Sequence, residues 1–183
     1  MHKLDYLFGT EWIEHSFAPQ FTCAEMQDGS SRIVAGVPHG DTDIFERLVS
    51  SLKPPYFLLY ILHTPRGEGE AGRYQSPALS LEQLHSFILK FKPFLSGDGR
   101  FDIWAHSPSE NATVIWDRHN MLYAYGPMEK FSKVLRSLGF DAGKPEIPGP
   151  HAHNYRKELD SYANEMLTIF DWSWSPLHDE DEQ

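Results

Sequence analysis

The side chains best suited to chemistry in this sequence are its histidines, ten in 183 residues. His151-Ala152-His153 places two imidazoles on one side of an extended segment, because side chains alternate along a strand. Such a pair can give two ligands to a zinc-type metal ion, with a carboxylate from elsewhere as the third. Glu158 and Asp160 are near in sequence, but the intervening helix turn points them away. The simpler use of His151 and His153 is hydrogen bonding to backbone within a Pro/Gly-rich strap. No second motif of fixed ligand spacing accompanies the pair.

His63 and His106 each close an expected strand, where a sheet exposes side chains to a cleft. Thr64 and Ser107 follow them directly and so face the opposite way. A paired-histidine phosphoesterase needs the hydroxyl two positions on, so that motif fails. There is no G-x-S-x-G elbow for a Ser-His-Asp triad. Asp102, Trp104 and His106 share one face of their strand, a mixed aromatic and ionisable surface that suits a ligand pocket or a protein contact. A covered face, with Asp102 paired to a cation, accounts for the same residues.

Arg66 and Arg73 flank a glycine-rich loop and can clamp a carboxylate or phosphate. Pairing with Glu68 or Glu70 is the plainer use. The loop itself, Gly67-Glu-Gly-Glu-Ala-Gly72, matches G-x-G-x-x-G in form only. It lacks the tight strand-to-helix turn, and its two glutamates repel phosphate. Asp41, two residues after His39, is explained by helix capping before acid–base work. The candidate ligand-binding set is therefore His63, Arg66, Arg73, Asp102, Trp104 and His106. The candidate metal pair is His151 and His153, and no residue is assigned as catalytic.

These side chains need a scaffold. Ile33, Val34 and Val37 mark a strand over 32–37. A helix capped by Asp41 should run from about Thr42 to Leu52, stopped by Pro54-Pro55. Tyr56–Leu62 is apolar without alternation, which suits a central strand covered on both faces. Residues 64–77 read as a long loop. Ser80 and Gln83 form a capping box for the next helix, which Pro93 should end or kink. Strands follow over 100–106, 112–117 and 121–125, the last two joined by a hairpin loop at 117–120. A helix opens at Gly126-Pro127 and closes at Gly139. Residues 141–153 make a strap, and Asn154 caps a last helix. The first thirty residues are ambiguous. The expected fold is one α+β domain over 1–178, with a four- to five-stranded mostly antiparallel sheet, helices on one face, and an acidic tail at 179–183.

Composition bounds the function. The chain is 40% hydrophobic and 14% aromatic, enough for an independent core. Net charge is −10, which disfavours nucleic acid and anionic membranes and allows a basic protein partner. No apolar leader opens the sequence and no run is long enough to span a bilayer. The lone Cys23 fits a reducing compartment, so a cytoplasmic location is expected. No cofactor is expected. The first functional reading is a non-catalytic protein-binding module, acidic and inhibitor- or immunity-like by analogy of size and charge. The alternative is a small hydrolase or metal-dependent enzyme in which a histidine cluster converges with Arg66 or Arg73.

Overall fold

Phe101–Ser107 alternates buried and half-buried residues without a break, and this alternation defines the two faces of the main sheet. The structure, a computed structural model, describes residues 2–181. In chain order the elements are β1 (Leu4–Phe8), β2 (Glu11–Glu14), β3 (Gln20–Glu25), β4 (Ser31–Gly36), α1 (Thr42–Ser50), β5 (Phe57–Leu62), β6 (Gly72–Gln75) and α2 (Leu81–Gly97). They continue with β7 (Phe101–Ser107), β8 (Ala112–Trp116), β9 (Met121–Tyr125), α3 (Met128–Ser137), β10 (Asp141–Ala142), β11 (His151–His153), α4 (Asp160–Met166) and β12 (Ser173–Ser175).

The chain is α+β, as its composition and element order imply, but the main sheet is larger than expected. It has nine strands in the order β10-β3-β4-β9-β8-β7-β5-β6-β12, where four or five were anticipated. Every pairing in it is antiparallel except that of β10 with β3. The surplus is β3, from the first thirty residues that were ambiguous by pattern, and three short strands toward the margins. β6, β10 and β12 have four, two and three residues, and their sequences carry little apolar alternation. A second, three-stranded sheet of order β11-β1-β2 uses the N-terminal residues that were ambiguous by pattern.

One face of the main sheet is sealed. Ile33, Ala124, Val114, Ile103 and Leu58 point into a core shared with Phe45, Phe91, Phe94 and Phe131 of the helices. Phe45 meets Trp116, and Phe94 stacks on Phe101 at 4.7 Å between ring centroids. Asp41 caps α1, and Ser80 with Gln83 forms the capping box of α2. Pro93 does not end α2. The helix continues to Gly97 because Phe94 and Leu95 are fully buried, and their packing outweighs one lost backbone bond. Asn154 does not cap a helix either: its side chain donates to the His2 carbonyl, and α4 begins at Asp160.

The opposite face is open. Across it runs a row of register partners, Val34, Tyr123, Ile115, Trp104 and Leu59, all half-buried. β5 is interior to the sheet, and its second face is only partly covered: Phe57 and Leu59 are half-buried there, while Ile61 is buried.

Arg100 locks the ends of this architecture together. Its guanidinium is fully buried and bonds Asp98 at 2.8 Å, Asp160 at 2.8 Å and Glu68 at 3.0 Å. Burial opposes its charge, but the three carboxylates outweigh burial and push its pKa upward. This explains Glu68 in the glycine-rich loop: it is an internal counter-ion.

Candidate functional site

The 117–120 hairpin loop is built around Asp117. Its Oδ1 accepts from the backbone N–H groups of His119, at 2.9 Å, and Met121, at 2.8 Å. Trp116 Nε1 donates to Asn120 Oδ1, and Asn120 takes a positive φ of 60°. The loop is therefore fixed, and His119 with it. Asp117 Oδ2 lies 3.2 Å from His119 Nδ1, a carboxylate–imidazole pair that leaves the Nε2 lone pair for a cation.

His151 and His153 arrive on β11, which pairs antiparallel with β1 in the small sheet, His153 opposite Leu4 and His151 opposite Tyr6. The strand end is pinned where the Asn154 N–H donates to the Lys3 carbonyl and the Gly99 N–H to the Asn154 carbonyl. A Cβ on Gly99 would stand 3.2 Å from His153 Cβ, so glycine lets the two segments close up. One nitrogen from each of His119, His151 and His153 can be chosen so that all lie within 4.8 Å of one another. Their rings meet edge-on, with centroids 4.7 to 5.6 Å apart. Burial first, then the neighbouring His119 and Arg118, push His153 down to about 4, which keeps it neutral near pH 7.

His119 also lines a cleft of about 470 Å³ on the open sheet face, with Arg32, Asp102, Trp104, Asp117 and Tyr123 among the other walls. The Arg32 guanidinium lies 4.7 Å over the Tyr123 ring and donates to Tyr125 Oη at 2.9 Å. Burial and Asp117 hold the Tyr123 phenol well above its ordinary pKa, so it stays protonated. A second depression of about 420 Å³ adjoins, formed by Phe57, Leu59, His106 and Thr113, with Trp104 shared between the two.

Of the residues singled out by sequence, Asp102 and Trp104 reach the cleft, while His106 bonds Thr113 in the adjoining depression. His63 sits behind the cleft, 5% exposed, with Nε2 3.0 Å from Asp102 Oδ2. The structure does not bring His63 and His106 together. His63 lies beside Arg100, and six residues of extended chain, about 20 Å, separate that point from His106. Arg66 is bound to Asp160. Arg73 is bound to Asp181 and His178, over the Trp104 ring. His151 and His153 do adjoin a third group, but it is His119 rather than a carboxylate. His119 carried one usable signal: it follows an Asp by two residues in a short hairpin loop, a spacing that permits the carboxylate–imidazole contact.

Two charged groups bear on the cleft, Lys3 beneath Asp117, and Asp102 in the wall. Lys3 is fully buried between the rings of Phe101 and Trp116 and donates to the Asp117 carbonyl. Burial pushes it down to about 8, against the attraction of Asp117, Asp102 and Asp98. Burial tends to raise the Asp102 carboxyl, but His63, the Arg118 amide and Lys3 outweigh it and hold it below its ordinary value.

No family model, curated protein or solved structure matches this chain. No helix among the described residues is long and apolar enough to cross a membrane.

Proposed function

We propose that this chain holds a divalent transition-metal ion of the zinc class on His119, His151 and His153, and uses it on a ligand in the adjoining cleft. The convergence of three imidazoles, one of which, His119, also lines the cleft, carries the reading. Three neutral nitrogen ligands leave a fourth position for water or substrate, the pattern of catalytic rather than structural zinc. An ion so held lowers the pKa of bound water and polarises an acyl or phosphoryl oxygen, so the reaction class is metal-assisted hydrolysis. Asp117 would orient His119 from behind, as carboxylates do behind zinc-bound imidazoles.

The test is zinc and cobalt titration of the untagged full chain. One ion per chain and the visible spectrum of tetrahedral cobalt are expected. His119→Ala, His151→Ala and His153→Ala should each weaken zinc by roughly a hundredfold or more, in the range of lost direct ligands. Unchanged binding in His119→Ala would sink the proposal.

A second reading keeps the protein-binding expectation, at a different place. Phe8 and Trp12, 68% and 53% exposed, crown the β1–β2 hairpin beside Glu11 and Glu14. Exposed aromatics ringed by acids suit a basic protein partner. The expected result is salt-sensitive capture of a basic protein that Phe8→Ser with Trp12→Ser abolishes and the histidine variants do not.

A further inference from the structure

We infer that the cleft takes a flat anionic ligand, a carboxylate or phosphate on a planar apolar body, with its oxyanion on Arg32 and an acceptor on the indole N–H of Trp104. This rests on the reading of the cleft as the working space of the three histidines, and it names the ligand class.

The cleft's unmet hydrogen-bonding capacity is all of one kind. Among its walls, two buried side-chain atoms have no partner among the described residues, Arg32 Nε and Trp104 Nε1. Both are donors. Buried donors without acceptors are costly and uncommon, and a bound acceptor is the ordinary remedy. Arg32 has no carboxylate partner among the described residues, although acidic residues outnumber basic ones by 26 to 16 in the chain. Its guanidinium is held in place by Tyr123 and Tyr125, which fixes the fork for bidentate pairing with an oxyanion.

The carboxylates in the same walls do not cancel this. Asp102 is matched to His63, Asp117 to His119 and Asp181 to Arg73, which leaves Glu180 on the exposed rim. The apolar part of the ligand follows from the floor. Tyr123, Ile115 and Trp104 are register partners on three adjacent strands, so the two rings stand about 10 Å apart with Ile115 between. That span suits a fused two-ring body. A cleft of about 470 Å³ is within the size range of small-molecule sites.

The experiment uses the full chain freed of metal by a chelator. 2-Naphthoate and 2-naphthyl phosphate are the two oxyanion arms, and 2-naphthol is the uncharged control. Binding is followed by ligand-observed NMR. At least one anion should bind saturably and at least tenfold tighter than naphthol, the ratio of the two arms telling carboxylate from phosphate. Arg32→Gln should weaken the better anion tenfold or more, and Arg32→Lys, which keeps the charge without the fork, by less. Trp104→Phe, which keeps a ring and removes the N–H, should also weaken it. Lys133→Gln, on the exposed side of α3, should leave it unchanged. The inference is overturned if no anion outbinds naphthol, or if Arg32→Gln binds like the native chain. It is also overturned if anion binding appears only with zinc and follows His151, an outcome that leaves the metal centre standing.

Discussion

Asp117 Oδ2 faces His119 Nδ1 at 3.2 Å, while its Oδ1 holds the turn that carries the same histidine. One carboxylate thus sets both the position and the tautomer of the imidazole. Asp117→Asn keeps the Oδ1 acceptor for the turn and gives up the charged oxygen behind the ring. Zinc affinity should fall by about 10–100-fold, the usual cost of losing such a partner. Competition against a chromophoric chelator measures it; the metal-free chain should also melt lower, because the buried Lys3 loses the nearest of its counter-charges.

Arg100 is a structural charge. Removing it leaves Asp98 and Glu68 buried without a counter-ion, their side chains being 0% and 2% exposed. Arg100→Met should cost about 3–5 kcal/mol in urea unfolding, as breaking a buried ion pair does. A loss below 1 kcal/mol would show that the network contributes little.

Lys3 gives the opposite sign. Its pKa falls from an ordinary 10.5 to about 8 on folding. Between these values the unfolded chain binds more protons, so stability rises with pH across that window. Lys3→Met should stabilise the chain by about 1–3 kcal/mol at pH 7, because an apolar group replaces a buried charge. The advantage should shrink as pH rises from 8 to 10.5. Urea unfolding of both proteins across that range is the check.

In acid, Asp160 and Asp102 are among the depressed carboxyls, with Glu110 and Asp28. Arg100 and Arg66 hold Asp160 below its ordinary value of 3.8. At Asp102 burial acts the other way, but His63, the Arg118 amide and Lys3 prevail. A depressed carboxyl adds stability above its unfolded value, and this is lost as pH falls through the folded one. The native chain should therefore lose stability below pH 3.8, and Asp102→Asn with Asp160→Asn should lose less over the same interval.

The parts of the fold that announce themselves in sequence are those with local signals. Ile33 and Val34, the Ser80–Gln83 capping box and the 117–120 turn each encode their element within a few residues. The turns at the sheet's margins do not. Gly72–Gln75 becomes a strand by pairing with β5, and Ser173–Ser175 by pairing with it in turn, since a short edge strand needs no apolar face of its own. The same holds for the site. His151 and His153 are legible as a pair from their spacing, but their approach to His119 depends on β11 pairing with β1, about 150 residues away. Arg32 looks like a solvated strand residue until the shape of the open face puts it in the cleft. By sequence Arg66 and Arg73 suit an anion clamp or pairing with Glu68 or Glu70, but Asp160 and Asp181 occupy them from distant segments.

His119 stands on the turn between β8 and β9 of the nine-stranded sheet, and His151 and His153 on β11 of the three-stranded one. An ion shared by all three is therefore a removable rivet between two separately bonded layers. Chelation should loosen the smaller layer first. Amide exchange would quicken across residues 4–14 and 151–153 while the protons between β4 and β9 stay slow, and the grip on the ion and the seating of the N-terminal hairpin would be one equilibrium measured from two ends.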